Sequence, residues 1–250
     1  MLPSVKASPI TAFDASFAAA MAGLGLNQCT GYVTALSGGP DSTALALLSQ
    51  RYADAVGKHH HAVIVDHGLR GGSGNEARRV QTRLRRFGID SNIIQITEPR
   101  PTAGLQEWAR INRHQALLSA ARQRKAALFF AHHASDQAET VAMRLLKSTG
   151  LKGLGGIACR RIQHDVVVAR PVLGWTPDQL KAVCDHLDCN FEIDPSNQDH
   201  RFERVRIRKF LAHLDRQNPL IGNIALSSGK LRRLGAGAAR LSAAADRACD

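Results

Sequence analysis

Residues 36–43 read Leu36-Ser37-Gly38-Gly39-Pro40-Asp41-Ser42-Thr43, and the fold turns on them. Upstream, Tyr32-Val33-Thr34-Ala35-Leu36 is an apolar run of strand length. Downstream, Ser42 to Arg51 places Leu45, Leu48 and their neighbours on one face of a helical repeat. A strand, a two-glycine turn and a helix start together present backbone N–H groups and a helix N-terminus to a phosphate. Ser37 and Ser42 add hydroxyl donors, and Asp41 can hold Mg2+ on the same phosphates. No Gly-Lys-Ser/Thr follows, so this is not a Walker A loop. A lone S-G-G would read as an ordinary strand-to-helix turn, but S-G-G-x-D-S directly after an apolar strand does not.

Outward from this loop, apolar runs and helical patterns alternate. His61 to Val65, Asn92 to Ile96 and Ala127 to Ala131 predict further strands; Asn75 to Phe87, Ala103 to Arg124 and Ser135 to Lys147 predict helices. Such alternation predicts an α/β fold, a Rossmann-like parallel sheet flanked by helices. The first thirty residues are weakly patterned. After the glycines at 150, 153, 155 and 156, Val166-Val167-Val168 before Arg170-Pro171 suggests an edge strand or hairpin. Thr176-Pro177-Asp178 starts a helix, with Thr176 as N-cap and Pro177 at its first position.

The 250 residues carry 33 Lys and Arg against 21 Asp and Glu, a formal charge of +12, which points to nucleic acid or another polyanion as partner. Eleven of those cations, against four acids, fall in residues 201–250. An apolar content of 44% with 22% charged residues suits a packed core and excludes wholesale disorder. No run approaches the ~18 apolar residues of a spanning helix. The N-terminus, with one Lys and no apolar run, does not read as a secretory signal, so a soluble, cytoplasmic protein without membrane attachment is expected. Five cysteines include no C-x2-C pair and read as reduced structural thiols rather than a metal or cluster site.

Ser37 to Ser42 resembles the PP-loop of the N-type ATP pyrophosphatases. Further segments resemble the tRNA(Ile)-lysidine synthetase family. These are Val65-Asp66-His67-Gly68-Leu69-Arg70, Glu107-x-Ala109-Arg110-x-x-Arg113, and Ala131-His132-His133-x-x-Asp136-Gln137-Ala138-Glu139-Thr140, followed by Arg170-Pro171-Val172-Leu173 and Asp194-Pro195-Ser196-Asn197. The matches occur in order over roughly residues 30–210. There are departures: Ser135 replaces an Asp, Lys147-Ser148-Thr149-Gly150 replaces R-G-S-G, and Val205 stands in place of Asn between Arg204 and Arg206, with Arg208 kept.

The resemblance implies that lysine is joined to C2 of the wobble cytidine of a CAU-anticodon isoleucine tRNA. ATP adenylates the base with loss of pyrophosphate, and the lysine amine then displaces AMP. On this reading Ser37, Gly38, Gly39, Pro40, Asp41 and Ser42 hold ATP, with Mg2+ on Asp41, and Arg113 serves the α-phosphate or developing charge. Lysine falls to Asp136, Glu139 and Arg204, and His133 and Asp136 join Asp41 and Arg113 as catalytic candidates. The implied domains are a catalytic domain at 28–212 and a basic helical segment at 213–250, a shortened or truncated tRNA-docking region. The oligomeric state stays open, a homodimer being one arrangement.

The second step needs a neutral amine. With a pKa of about 10.4, roughly one lysine in 2,500 is unprotonated at pH 7, a cost of about 4.6 kcal/mol. Carboxylates that grip the ammonium deepen that cost, so the site needs acids for recognition and a proton acceptor once the adenylate exists. Asp136 and Glu139, three apart, share a helix face, and Asp136 is the expected acceptor.

Blander readings stand beside these. D-x-x-E is common on solvated helix faces, and His132-His133 with Asp136 could gather a metal. His59-His60-His61 reads as an exposed strand start, and Trp108 and Trp175 as packing residues. Arg78 to Arg86 is either a solvated face or a phosphate track. Two rival activities share the loop: a tRNA-thiolating enzyme, which the lack of C-x-x-C disfavours, and a small-molecule amidating ligase, which would not need the C-terminal charge.

Overall fold

A computed structural model of the protein describes residues 9–69, 71–147, 155–192, 203–215 and 224. These residues form two compact units. The first comprises 9–131, 159–172 and 178–192; the second comprises 132–147, 155–158, 173–177, 203–215 and 224.

In chain order the elements are α1 (Pro9–Ala22), β1 (Gly31–Leu36), α2 (Pro40–Ala55), β2 (His59–Asp66), α3 (Ser73–Arg85), β3 (Ser91–Gln95), α4 (Leu105–Gln123) and β4 (Ala127–Phe129). They continue with α5 (Ala134–Leu146), β5 (Arg160–Gln163), β6 (Val166–Ala169), α6 (Pro177–His186) and α7 (Glu203–Asp215). The six strands of the first unit form one sheet in the order β3-β2-β1-β4-β6-β5. All neighbours are parallel except β5 on β6, as the α/β pattern predicts.

Every residue of β1 is buried, because a central parallel strand is covered on both faces. On one face Val33 packs with Val63, Leu128 and Val168 beneath Leu117, Leu118 and Ala121 of α4. Tyr32, next in the chain to Val33, points to the opposite face. It stacks on Phe129 at 5.1 Å and meets Tyr52 of α2 at 6.0 Å. Burial pushes its phenol up to about pKa 12.

Three sequence expectations need correction. The weakly patterned lead contains α1, which buries Phe17 and Met21 and ties to α2 through a 2.5 Å Arg51–Asp14 ion pair. β4 ends at Phe129 rather than at 131. The strand start at 59–61 is real, but His60 is buried: its Nε2 lies 2.9 Å from Thr34 Oγ1 and its Nδ1 3.1 Å from Gln50 Oε1. Val166–Ala169 is one arm of the expected hairpin and β5 the other.

In the second unit, Ala138 of α5 packs on Ile207 and Leu211 of α7. Val205, the apolar departure, is buried at 7% exposure. Trp175 is buried and Trp108 half-buried, both consistent with packing roles. Among the described residues no helix is long and apolar enough to cross a membrane.

Candidate active site

β1 pairs with β2 on one side and β4 on the other, so successive connections leave β1 in opposite directions. Open α/β sheets bind ligands at such a switch point, outside the carboxyl ends of the strands. The loop 37–42 follows β1 there.

Its conformation is set by glycine. Gly38 has φ +86°, and a Cβ built on it would lie 2.8 Å from Val80 Cγ2. Gly39 is the N-cap of α2, with Pro40 at the first helical positions. The Gly38 carbonyl accepts the Glu192 N–H at 2.8 Å and the Thr43 hydroxyl at 3.4 Å. The Gly39 carbonyl accepts the Thr43 N–H at 3.0 Å and the Ser42 hydroxyl at 3.2 Å. Ser42 Oγ in turn accepts the Ser37 N–H at 3.1 Å and lies 3.0 Å from Ser37 Oγ. A trans peptide points its N–H opposite to its C=O. Tying the Gly38 carbonyl inward therefore turns the Gly39 N–H outward, as an anion cradle requires.

Asp41 lies in the first turn of α2. Mg2+ is commonly held by one or two carboxylates together with phosphate oxygens and water, so a single acid beside the cradle fits that ion. Cys184 donates its thiol to the Pro40 carbonyl at 3.6 Å; burial pushes its pKa up to about 12, and burial also raises Cys189. Both are buried thiols, and Cys184 lies directly against the loop.

β2 runs parallel to β1, with Ile64 opposite Leu36, so the residues after β2 emerge at the same end of the sheet. Among them is His67, whose imidazole is tilted against Trp108 at 6.4 Å. Burial, and then the charge of Arg113, lowers the His67 pKa and favours the neutral ring. Desolvation also lowers the Arg113 pKa, which marks a guanidinium short of water at this edge. Arg113 thus lies near His67, a neighbour the sequence left unassigned.

The second unit carries the acids. His133 is the N-cap of α5, and Asp136 Oδ2 accepts its backbone N–H at 3.1 Å and lies 3.6 Å from its Nε2. Arg204 of α7 donates Nε to Glu139 Oε2 at 2.6 Å and Nη2 to Asp136 Oδ1 at 3.0 Å. Arg208, one turn on, donates Nε to Glu139 Oε1 at 2.6 Å. Glu139 is only 1% exposed, so this D-x-x-E is not a solvated face. The i,i+3 acids and i,i+4 arginines meet because α5 and α7 pack along these faces. No three His, Cys, Asp or Glu gather for a metal among the described residues, against the His132-His133-Asp136 cluster.

Sequence reasoning kept Arg208 without pairing it to Glu139, and missed two further partners. Arg208 shares Glu139, Glu192 fixes Gly38, and buried Gln137 accepts the Ile157 N–H at 2.6 Å. Gln137 lies inside the quoted motif, which was its only signal. Arg70, 148–150, 194–197 and all of 213–250 except 213–215 and 224 lie outside the described residues.

A glycine loop at a parallel-sheet switch point defines a nucleotide-binding α/β protein, and the chain belongs to the PP-loop domain family, whose model matches residues 12–214. Within that family it is similar to the tRNA(Ile)-lysidine synthase of Methylobacterium nodulans, 40% identical over 91% of this chain and 66% of that protein. It is also similar to that of Bradyrhizobium diazoefficiens, 35% identical over 89% and 62%. The chain thus spans just under two thirds of the length of these relatives. Two solved structures share the fold. The U34-tRNA thiolase NcsA from Methanococcus maripaludis aligns with TM-score 0.74 at 17% identity, over 90% of this chain and 81% of that one. The NMN synthetase from Francisella tularensis aligns at 0.51 and 16%, over 89% and 95%.

Proposed function

We propose that the protein joins lysine to C2 of the wobble cytidine of a CAU-anticodon isoleucine tRNA, consuming ATP with Mg2+ and releasing AMP and pyrophosphate. The observation that carries this reading is the network of Asp136, Glu139, Arg204 and Arg208. Lysine carries one carboxylate and two ammonium groups, and a site for it needs both signs of charge. Arg204 offers a guanidinium for the carboxylate, and Asp136 and Glu139 offer acceptors for the amines.

Each residue then has a task. The Gly38-Gly39 turn and the start of α2 take the phosphates, with Ser37 and Ser42 shaping the cradle. Mg2+ on Asp41 would neutralise phosphate charge. Arg113 supplies positive charge for the α-phosphate. Glu139 has two guanidiniums on it and Asp136 one, so Asp136 is the acid with acceptor capacity left for the amine proton. His133 holds Asp136 through its backbone N–H. The catalytic domain is taken as 28–212, with 213–250 docking tRNA. The same reading places the protein in the cytoplasm, as a monomer or a homodimer.

The rival thiolation is disfavoured because the five cysteines form no C-x2-C pair, and Cys184 and Cys189 are buried with raised pKa, leaving Cys159 as the exposed one among the described cysteines. Incubation with ATP, labelled lysine and isoleucine tRNA, followed by nucleoside analysis, tests the proposal. Label in a modified cytidine is expected. ATP–pyrophosphate exchange without RNA, or iron in the purified protein with sulfur transfer to tRNA, would overturn it in favour of an amidating ligase or a thiolase respectively.

A further inference from the structure

We infer that the groove along α3 is a docking track for the phosphate backbone of the RNA substrate; this deepens the proposed function and rests on it. The groove has a volume of about 590 Å3 and lies wholly within the first unit. Arg78, Thr82 and Arg86 form one row along the helix, with Arg79 and Arg83 beside them; Asn75 stands at its start. From 78 to 86 the helix rises about 12 Å. That matches about three phosphates at the ~3.4 Å axial rise per strand of a duplex.

Charge balance separates a track from a merely solvated face. Exposed charges on other helices of this unit have acidic partners: Lys181 has Asp185 on α6 and Arg110 has Glu107 on α4, along the helix, while Arg122 of α4 meets Asp165 and Arg51 of α2 meets Asp14. On α3 the sole acid is Glu76, against Arg78, Arg79, Arg83 and Arg85, and Arg86 caps the helix. The groove lining adds a single acid, Asp188. Glu192 sits 2.8 Å from Arg83 and 3.9 Å from Arg79, leaving Arg78 and Arg86 unneutralised by it. Thr82 and Asn75 supply the neutral donors that accompany cations on phosphate oxygens.

Position supplies the link to the reaction. Val80 of the same helix packs against Gly38, and Glu192 joins Arg83 to the Gly38 carbonyl. A strand seated on α3 therefore runs along the support of the nucleotide loop while leaving its N–H face to ATP.

The test is tRNA binding to the full chain over a range of salt, for wild type, Arg78→Ala/Arg86→Ala and Arg78→Lys/Arg86→Lys. Both residues are exposed, so melting temperature and ATP affinity serve as controls and should not move. If each touches one phosphate, the alanine pair should flatten the slope of log K against log salt by about 1.4–1.8 and weaken binding, and the lysine pair should restore both. Unchanged slope and affinity in the alanine pair overturn the track. Loss of inorganic pyrophosphate binding with the RNA slope intact also overturns it, in favour of a compact polyphosphate site. Lysidine formation by the wild type is scored separately. A wild type that makes lysidine while the alanine pair keeps its slope sinks the track alone. A wild type that makes none while the slope falls sinks the proposed function alone.

Discussion

Glu139 and Asp136 sit three residues apart in sequence but in different company: two guanidinium groups on one, a single guanidinium and a backbone N–H on the other. Asp136→Asn keeps a carbonyl for the His133 N–H and removes the proton acceptor. Single-turnover assays should show adenylation nearly intact and lysine transfer reduced about 10²–10⁴-fold. An equal fall in both steps would move Asp136 to the ATP site. The acids themselves were legible, because D-x-x-E in a recognisable motif is a local pattern. Arg204 and Arg208 were named only through the resemblance, and their pairing with these acids was not legible, since they reach across 65 to 69 residues of chain and no spacing rule spans that distance.

His60 makes a second residue-scale prediction. Its folded pKa is lowered to about 3, first by burial and then by His61. The unfolded ring titrates near 6.5. The stability that needs the neutral ring is therefore complete above about pH 6.5 and is lost as pH falls towards 3. The loss is about 1.4 kcal/mol per pH unit, or about 2 kcal/mol by pH 5. Urea unfolding from pH 7 to 4 should show this slope, and His60→Gln should flatten it while lowering stability at pH 7. An unchanged slope in the variant would assign the acid sensitivity to other groups. The sequence showed three adjacent histidines but not which of them the sheet would cover. Strand alternation buries the middle one, and Thr34 and Gln50 make its burial tolerable.

Elements differ in how plainly they announce themselves. β1, β4 and the Ala62–Val65 stretch of β2 are apolar because both faces are covered, and that composition can be read without a structure. β5 carries Arg160 and Arg161 because its residues are largely exposed, so it lacks the apolar signal and only its partner β6 was visible. α1 was hidden for a different reason: with many small alanines, its apolar and polar residues show little segregation by face. The loop 37–42 is the element whose function depends most on one residue. Gly38→Ala would force a Cβ into the left-handed region and to 2.8 Å from Val80. The expected cost is about 1–3 kcal/mol, seen as a lower melting temperature, together with loss of ATP binding. Val80→Ala introduced alongside should recover more of the stability than of the binding, since it relieves the contact and not the backbone strain. Normal ATP affinity in Gly38→Ala would remove the turn from the phosphate cradle.

At the scale of the whole molecule, the position of β1 has a consequence in time. Its first partner, β2, follows directly, but its second, β4, begins only at Ala127. A ribosome working at about 5–20 residues per second makes the roughly 60 residues between them in about 3–12 s. Throughout that interval the strand leading into the nucleotide loop has an open edge, available to any other extended chain. The crevice beside the glycine loop thus closes only after the β3-β2-β1 half of the sheet can form, with β6 and β5 following it. Pulse-labelled amide exchange during refolding should protect β2 and β3 before β4 and β6; simultaneous protection would mean the sheet closes in one step. A nascent chain stalled before residue 127 would expose an unpaired β1 edge directly beside the glycine loop.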